Sequence, residues 1–248
     1  MLGLLEELIW ETGQAILRMD TAQDLRVRHK KDQSPLTEAD LLADRMLKAG
    51  LERILPLPLV SEESVSPALG AEPERYWLID PIDGTKEFIA HRPTYTVNIA
   101  LIEAGKPVLG VVYAPSLGEL YSGTREDGLR LNGRSLSALH WPEKKTLVCS
   151  LSHSEAELDA FALREGINER IAIGSSYKFC LVARGKAHCY PRFRSLSSWD
   201  IAAGHAVAMA AGCQVLSWEG RQPLHYSYGQ KEMPPFVVLA PDFKLQQP

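Results

Sequence analysis

Apolar positions near the start of the chain recur at helical spacing. Leu4, Leu5, Leu8, Ile9, Ala15 and Ile16 fall about one turn apart within "MLGLLEELIWETGQAIL", which predicts an amphipathic helix. After a polar connection the same rhythm returns with Leu41, Leu42, Met46, Leu47, Leu51 and Ile54. This second helix carries a start signal. "SPLTEAD" offers Ser34 or Thr37 as its cap, and Thr37 with Asp40 three residues on fits a capping box, placing Asp40 in the first turn.

Downstream the pattern changes to alternation. A short strand ends in "LVSEES", another reads "YWLIDP", and "TYTVNIALI" turns at "EAGK" into "PVLGVVYAP" to make a hairpin. These elements predict a largely antiparallel sheet with helices. From about Thr146 the units shorten: strand "TLVCSL", a helix capped by Ser154 with Glu157, strand "RIAIG", helix "SSYKFCLVARG", strand "AHCYPRF", helix "WDIAAGHAVAMAAG", then "CQVL". Strand and helix in alternation predict a second α/β layer. No repeat, low-complexity tract or flexible linker separates the halves, residues 1–140 and 141–248, so they are expected to pack as one rigid unit.

Composition narrows the class. A chain of 248 residues, 45% hydrophobic and 23% charged, has the balance of a soluble globular protein. Its formal net charge of -4 and pI of about 6.0 argue against nucleic acid or an anionic membrane as partner, so an anionic substrate needs a local site. Cys149, Cys180, Cys189 and Cys213 lack paired metal spacing and sit among apolar residues, which suits buried free thiols in a reducing compartment. Glu6, Glu7 and Glu11 interrupt the first apolar stretch, so it is neither a signal peptide nor a membrane span. The expected location is the cytoplasm, with peripheral association at the inner membrane left open.

The chemistry gathers where elements end. In "LIDPIDGTKEF" the apolar run Trp77–Ile79 leads to Asp80 and Asp83, two carboxylates that must be paired or hold a cation. Glu62 and Glu63 follow a strand, and Asp200 opens a helix rich in small residues. Hard cations such as Mg²⁺ take oxygen ligands of this kind, and the Ile82 carbonyl can add another. Gly84 permits a sharp bend, after which the Gly84 and Thr85 amides can face an anion. The competing readings are a capping turn for Asp80 and Asp83, a solvated loop for Glu62 and Glu63, and a helix-dipole charge for Asp200.

Three signatures in order, "SEES" at 61–64, "DPIDGTKEF" at 80–88 and "WDIAAGHAVAMAAG" at 199–212, resemble the lithium-sensitive, magnesium-dependent phosphatases of the inositol monophosphatase superfamily. Within it, "KDQSPLTEAD", "TVNIALIEAGKPVLGVVYAP" and "GSSYKFCLVARGKAHCYPRF" look most like the bacterial 3'(2'),5'-bisphosphate nucleotidase branch. The resemblance implies a layered αβαβα sandwich of the inositol monophosphatase and fructose-1,6-bisphosphatase type, with metals between the halves. By the same resemblance Glu62, Asp80, Ile82, Asp83 and Asp200 are the metal ligands, for two or three Mg²⁺ ions. Thr85 and Asp40 resemble the nucleophile-activating pair, with Glu63 a second acid that orients water or lies exposed.

The implied reaction removes the 3'-phosphate of adenosine 3',5'-bisphosphate, or of its sulfated form, and links the chain to sulfate assimilation. Ser175, Lys178 and Arg192 match the family's nucleotide contacts, and His153 falls where some members place a histidine on the base. On the residues alone, Lys178 also reads as a solvated helix lysine and Arg192 as a surface ion pair. Arg194 stands where relatives carry a small residue. His29, His91, His140, His188, His205 and His225 show no ligand spacing. The expected partner is a small phosphorylated nucleotide, met by a monomer or homodimer. An inositol or sugar monophosphatase is the enzymatic alternative, and a metal- or nucleotide-binding regulatory protein the non-enzymatic one.

Overall fold

A computed structural model describes residues 1–20, 27–29, 35–64, 72–137, 139–151 and 155–246. Ser34, His153 and Ser154 lie outside the described residues. The chain opens with α1 (Leu2–Asp20), a short antiparallel pair β1 (Val27–His29) and β2 (Pro35–Thr37), and α2 (Glu38–Ile54). A seven-stranded sheet follows: β3 (Leu59–Ser61), β4 (Arg75–Asp83), β5 (Thr96–Glu103), β6 (Lys106–Ala114), β7 (Glu119–Thr124), β8 (Gly128–Leu131) and β9 (Arg134–Ser135). Its strands lie in sequence order. Only β3 and β4 pair in parallel, and the short helix α3 (Thr85–Ile89) leaves the end of β4.

The second half holds β10 (Thr146–Cys149), α4 (Glu155–Glu165), β11 (Glu169–Ala172), α5 (Tyr177–Ala183), β12 (Cys189–Arg192), β13 (Leu196–Ser197), α6 (Ser198–Ala210), β14 (Gln214–Ser217), β15 (Glu232–Met233) and β16 (Phe236–Leu239). Five of these strands form a mixed sheet in the order β11-β10-β12-β16-β14, and β13 pairs with β15.

Side-chain alternation along the strands sorts these elements into layers. On β4, Trp77 and Ile79 face α1 and α2, meeting Leu5, Ile9 and Leu47, whereas Tyr76 and Leu78 face the opposite way. That inner face packs on Phe179 and Val182 of α5 and Ile201 and Val207 of α6, which in turn meet Val148, Tyr190 and Val238 of the second sheet. The far side of the second sheet, with Leu147, Cys189 and Val237, is covered by Leu158 and Phe161 of α4. The result is the five-layer αβαβα sandwich. Helix α6 is apolar on nearly all sides because it packs on the seven-stranded sheet, on α5 and on β14. It lies so close to β6 that a Cβ on Gly110 would come within 2.3 Å of the Ala203 carbonyl oxygen.

Several elements depart from their sequence pattern. Leu4 is 55% exposed, and Leu2 takes its place on the buried face of α1 beside Leu5, Leu8, Ile9, Ala15 and Ile16. On α2 the buried stripe is Ala39, Asp40, Ala43, Asp44, Leu47, Gly50 and Leu51, so the helix is rotated away from Leu41 and Leu42. The rotation brings two carboxylates inward, where each finds hydroxyl partners: Thr37 and Thr85 for Asp40, and Ser61 for Asp44 at 2.5 Å. The four cysteines are buried and free. No described helix is long and apolar enough to cross a membrane.

Candidate active site

The ends of parallel β3 and β4 and the starts of α5 and α6 meet between the two sheets. β4 runs through Asp80 to Asp83, with its register against β5 broken between them. Pro81 supplies no amide to the ladder there. Asp80 is fully buried; its Oδ1 accepts the Ile82 N–H at 3.1 Å, and among the described residues its Oδ2 has only the neighbouring carboxyls, Glu62 first, and no N–H donor. Asp200 is the third residue of α6, and its Oδ2 closes a capping box on the Ser197 N–H at 3.3 Å. Glu62 follows β3, its own N–H donating to the Ile79 carbonyl at 3.3 Å.

One carboxylate oxygen from each of Glu62, Asp80 and Asp200 lies within 4.8 Å of the others. The Asp80 carboxyl is held well above the usual range by burial, then by Glu62, Asp83 and Asp200. Asp200 is raised in the same direction by burial, then by Asp83 and Glu62, with Ser197 and Arg192 opposing. Asp83 is pushed up to about 6 by burial, against the pull of Lys178 and of the Ser176 N–H on its Oδ2. Acids this crowded cannot all ionise without a counter-charge. An all-oxygen set around a buried carboxylate oxygen that no N–H donor among the described residues reaches has the chemistry a divalent cation requires, so the residues fit such an ion.

Beside the acids stands the pair Asp40 and Thr85. Thr37 caps α2, and its N–H donates to Asp40 Oδ2 at 2.7 Å, forming the capping box the sequence predicts. The other oxygen of Asp40, Oδ1, faces the Thr85 hydroxyl at 3.2 Å. The Ile82 carbonyl is also 3.2 Å from that hydroxyl. Gly84 immediately before it has φ of 88°, a left-handed turn that β-carbon residues rarely adopt, and this turn swings Thr85 back toward α2.

The opposite wall comes from the second half. A cavity of about 340 Å³ is lined by Glu62, Asp83, Thr85 and Asp200 together with Lys178 and Arg192. Glu63 is not part of this wall; its N–H is held by Ser61 Oγ at 3.3 Å. Ser175 is not on a helix shared with Lys178, because α5 starts two residues later and Ser175 itself has φ of 55°. Its hydroxyl donates to the Thr94 carbonyl. Lys178 is buried rather than solvated, donating to the Ser175 carbonyl at 2.5 Å. Burial lowers its pKa to about 8, with Asp83 opposing that shift. Arg192 lines the cavity and donates from Nε to the Arg194 carbonyl at 3.2 Å.

Sequence reasoning passed over Ser176 and Asn98. The Ser176 hydroxyl donates to Asn98 Oδ1 at 2.8 Å, which fixes the amide that Ser176 presents to Asp83. A polar Asn98 in the middle of "TVNIALI" was the available signal: an amide buried in an apolar strand needs a partner.

A fold of five alternating layers with an acidic cluster at the meeting of its two sheets defines a class. The family model for the Inositol monophosphatase family matches residues 1–243, and the chain belongs to that family. Among curated proteins it is 44% identical over 237 residues to the 3'(2'),5'-bisphosphate nucleotidase CysQ of Escherichia coli O157:H7, covering 92% of this chain and 94% of that protein. It is 43% identical over 233 residues to the protein of the same name from Shigella flexneri, covering 92% of this chain and 94% of the relative. The crystal structure of CysQ from Bacteroides thetaiotaomicron superposes with a TM-score of 0.81 at 32% identity, covering 97% of this chain and 98% of that one.

Proposed function

We propose that the protein is a magnesium-dependent phosphatase that hydrolyses the 3'-phosphate of adenosine 3',5'-bisphosphate, giving AMP and inorganic phosphate. The observation that carries this reading is one cavity whose wall holds Glu62 and Asp200 of the carboxylate cluster, with Asp83, alongside Lys178 and Arg192. The acids suit metal-assisted phosphoryl transfer, and the two cations suit a second phosphate that does not react. Relatives more than 40% identical over nine-tenths of the chain carry the name of this activity.

Glu62, Asp80, Asp83 and Asp200, with the Ile82 carbonyl beside them, are the residues that would hold two or three magnesium ions. When bound, the metal supplies the positive charge that neutralises the phosphoryl oxygens and makes water acidic enough to attack. Water adds to phosphorus as the P–O bond to the 3'-oxygen breaks, and the sugar oxygen leaves with a proton. The Thr85 hydroxyl oxygen can accept a hydrogen bond from the attacking water because its own hydrogen is donated to Asp40 or to the Ile82 carbonyl. Asp40, held by Thr37, fixes the orientation of that hydroxyl. Ser175 positions the turn before α5, and Arg192 offers the planar fork that matches a phosphate.

Phosphate release from a panel tests the reading. Adenosine 3',5'-bisphosphate should be turned over with much higher kcat/KM than inositol 1-phosphate or fructose 1,6-bisphosphate, and only with added magnesium. Preference for inositol 1-phosphate would overturn the substrate, and metal-independent turnover would overturn the mechanism.

A further inference from the structure

Tyr190 lines the active cavity from β12, yet its side chain is fully buried and, among the described residues, no protein group hydrogen-bonds its hydroxyl. The ring itself is tightly held. Phe179 and Phe236 pack against it edge to face at centroid distances of 5.4 and 5.6 Å, and the Lys178 ammonium lies 5.4 Å from its centre. A phenylalanine would fill the same space, so packing does not explain the hydroxyl. A buried polar group without a partner costs stability, and such a group on the wall of a ligand cavity is explained when the ligand supplies the missing bond.

The charges around Tyr190 say which part of a ligand that is. Lys178 stands over the ring, and Arg192 lies two residues on, on the same side of the strand. Both line the cavity. Asp83 and Asp200 also bear on the hydroxyl; with those acids engaged by the metal ions they would hold, two cations and a neutral hydroxyl donor suit a dianionic phosphate, and a neutral purine would leave both charges unused. We propose that the Tyr190 hydroxyl donates a hydrogen bond to the phosphate that is not hydrolysed, completing a Lys178–Tyr190–Arg192 subsite that selects bisphosphorylated nucleotides over monophosphates. Burial keeps the hydroxyl protonated by raising its pKa above the ordinary tyrosine range, so it serves as a donor at neutral pH. This inference rests on the bisphosphate nucleotidase reading of the site.

Tyr190→Phe removes the hydroxyl alone. With magnesium present, kcat/KM for adenosine 3',5'-bisphosphate should fall about tenfold to a hundredfold, the range of one hydrogen bond to a charged group. Calorimetric affinity for AMP, which keeps the unreacted phosphate, should fall by the same factor. Turnover of adenosine 3'-monophosphate and inhibition by inorganic phosphate should stay unchanged, and the melting temperature should hold or rise. Equal losses on both substrates would place the hydroxyl on the reacting phosphoryl group, and no loss on either would make Tyr190 a packing residue; both overturn the proposal. If the wild type itself prefers the monophosphate, the reading of the activity fails separately. Tyr190 is then decided by AMP binding, where a change of less than about threefold refutes the contact.

Discussion

Thr85 and Asp40 are 45 positions apart, yet the Thr85 hydroxyl lies 3.2 Å from Asp40 Oδ1. The contact exists because Thr37 holds the other oxygen of the same carboxylate from the cap of α2, and because Gly84 turns the chain back at the end of β4. A hydroxyl oriented in this way acts on the reaction and contributes little to holding the substrate. Thr85→Ala should therefore lower kcat by about a hundredfold or more, the usual scale of proton-transfer assistance, and change KM by less than about threefold. Steady-state kinetics at saturating magnesium check this. A change confined to KM would make Thr85 a binding residue.

The hairpin of β5 and β6 was legible because "TVNIALI" and "PVLGVVYA" are long and apolar around a turn. The start of α2 was legible because a capping box is local chemistry. The face of α2 was not. Leucine spacing points to Leu41 and Leu42, and the fold buries Asp40 and Asp44 because hydroxyls from other elements reach them. Ser175 and Lys178 likewise have helical spacing without sharing a helix, since a left-handed Ser175 delays the start of α5. The meeting of Glu62, Asp80 and Asp200 was expected from the family resemblance. Residue spacing alone does not bring a β3 end, a β4 bulge and an α6 start together.

The same cluster makes stability depend on pH and metal. A carboxyl group whose pKa is raised in the folded state stabilises the fold below its unfolded pKa, near 3.9, and that contribution is lost as pH rises through the folded pKa. For Asp83 the loss runs from about 4 to about 6, and Asp80 and Asp200 carry it to higher pH. Metal-free protein should therefore have a lower melting temperature at pH 8 than at pH 5 in matched salt, as far as this cluster contributes. Magnesium neutralises the ionised acids, so the rise in melting temperature on adding it should be larger at pH 8. Calorimetric scans with EDTA and with magnesium give both values, and an equal or smaller rise at pH 8 would remove these acids from the metal site.

Gly110 sets how closely α6 approaches the seven-stranded sheet. Gly110→Val would drive a side chain into the Ala203 carbonyl and the Ala206 methyl, which an added Cβ alone would meet at 2.3 and 2.8 Å. Overpacking of this kind typically costs about 1–3 kcal/mol, or a fall in melting temperature of roughly 2–12 °C for a chain of this size. Because α6 carries Asp200 at its start, half-saturation should also require more magnesium. A variant that melts lower and keeps wild-type magnesium dependence would show that the helix yields without moving its N-terminus.

Lys178 has two neighbours whose demands can be separated. It faces the cavity with Arg192, and its charge lowers the pKa of Asp83. Lys178→Met keeps most of the buried volume and removes the charge. If the ammonium binds the unreacted phosphate, kcat/KM for adenosine 3',5'-bisphosphate should fall about tenfold to a hundredfold, and adenosine 3'-monophosphate should lose much less. If it also holds Asp83 ionised, loss of the positive charge lets that carboxyl rise above about 6, so the acid limb of the pH–rate profile moves to higher pH for both substrates. Measuring both profiles distinguishes the roles. A substrate-selective drop with an unmoved acid limb assigns Lys178 to the phosphate alone, and an equal drop with a shifted limb assigns it to Asp83 alone.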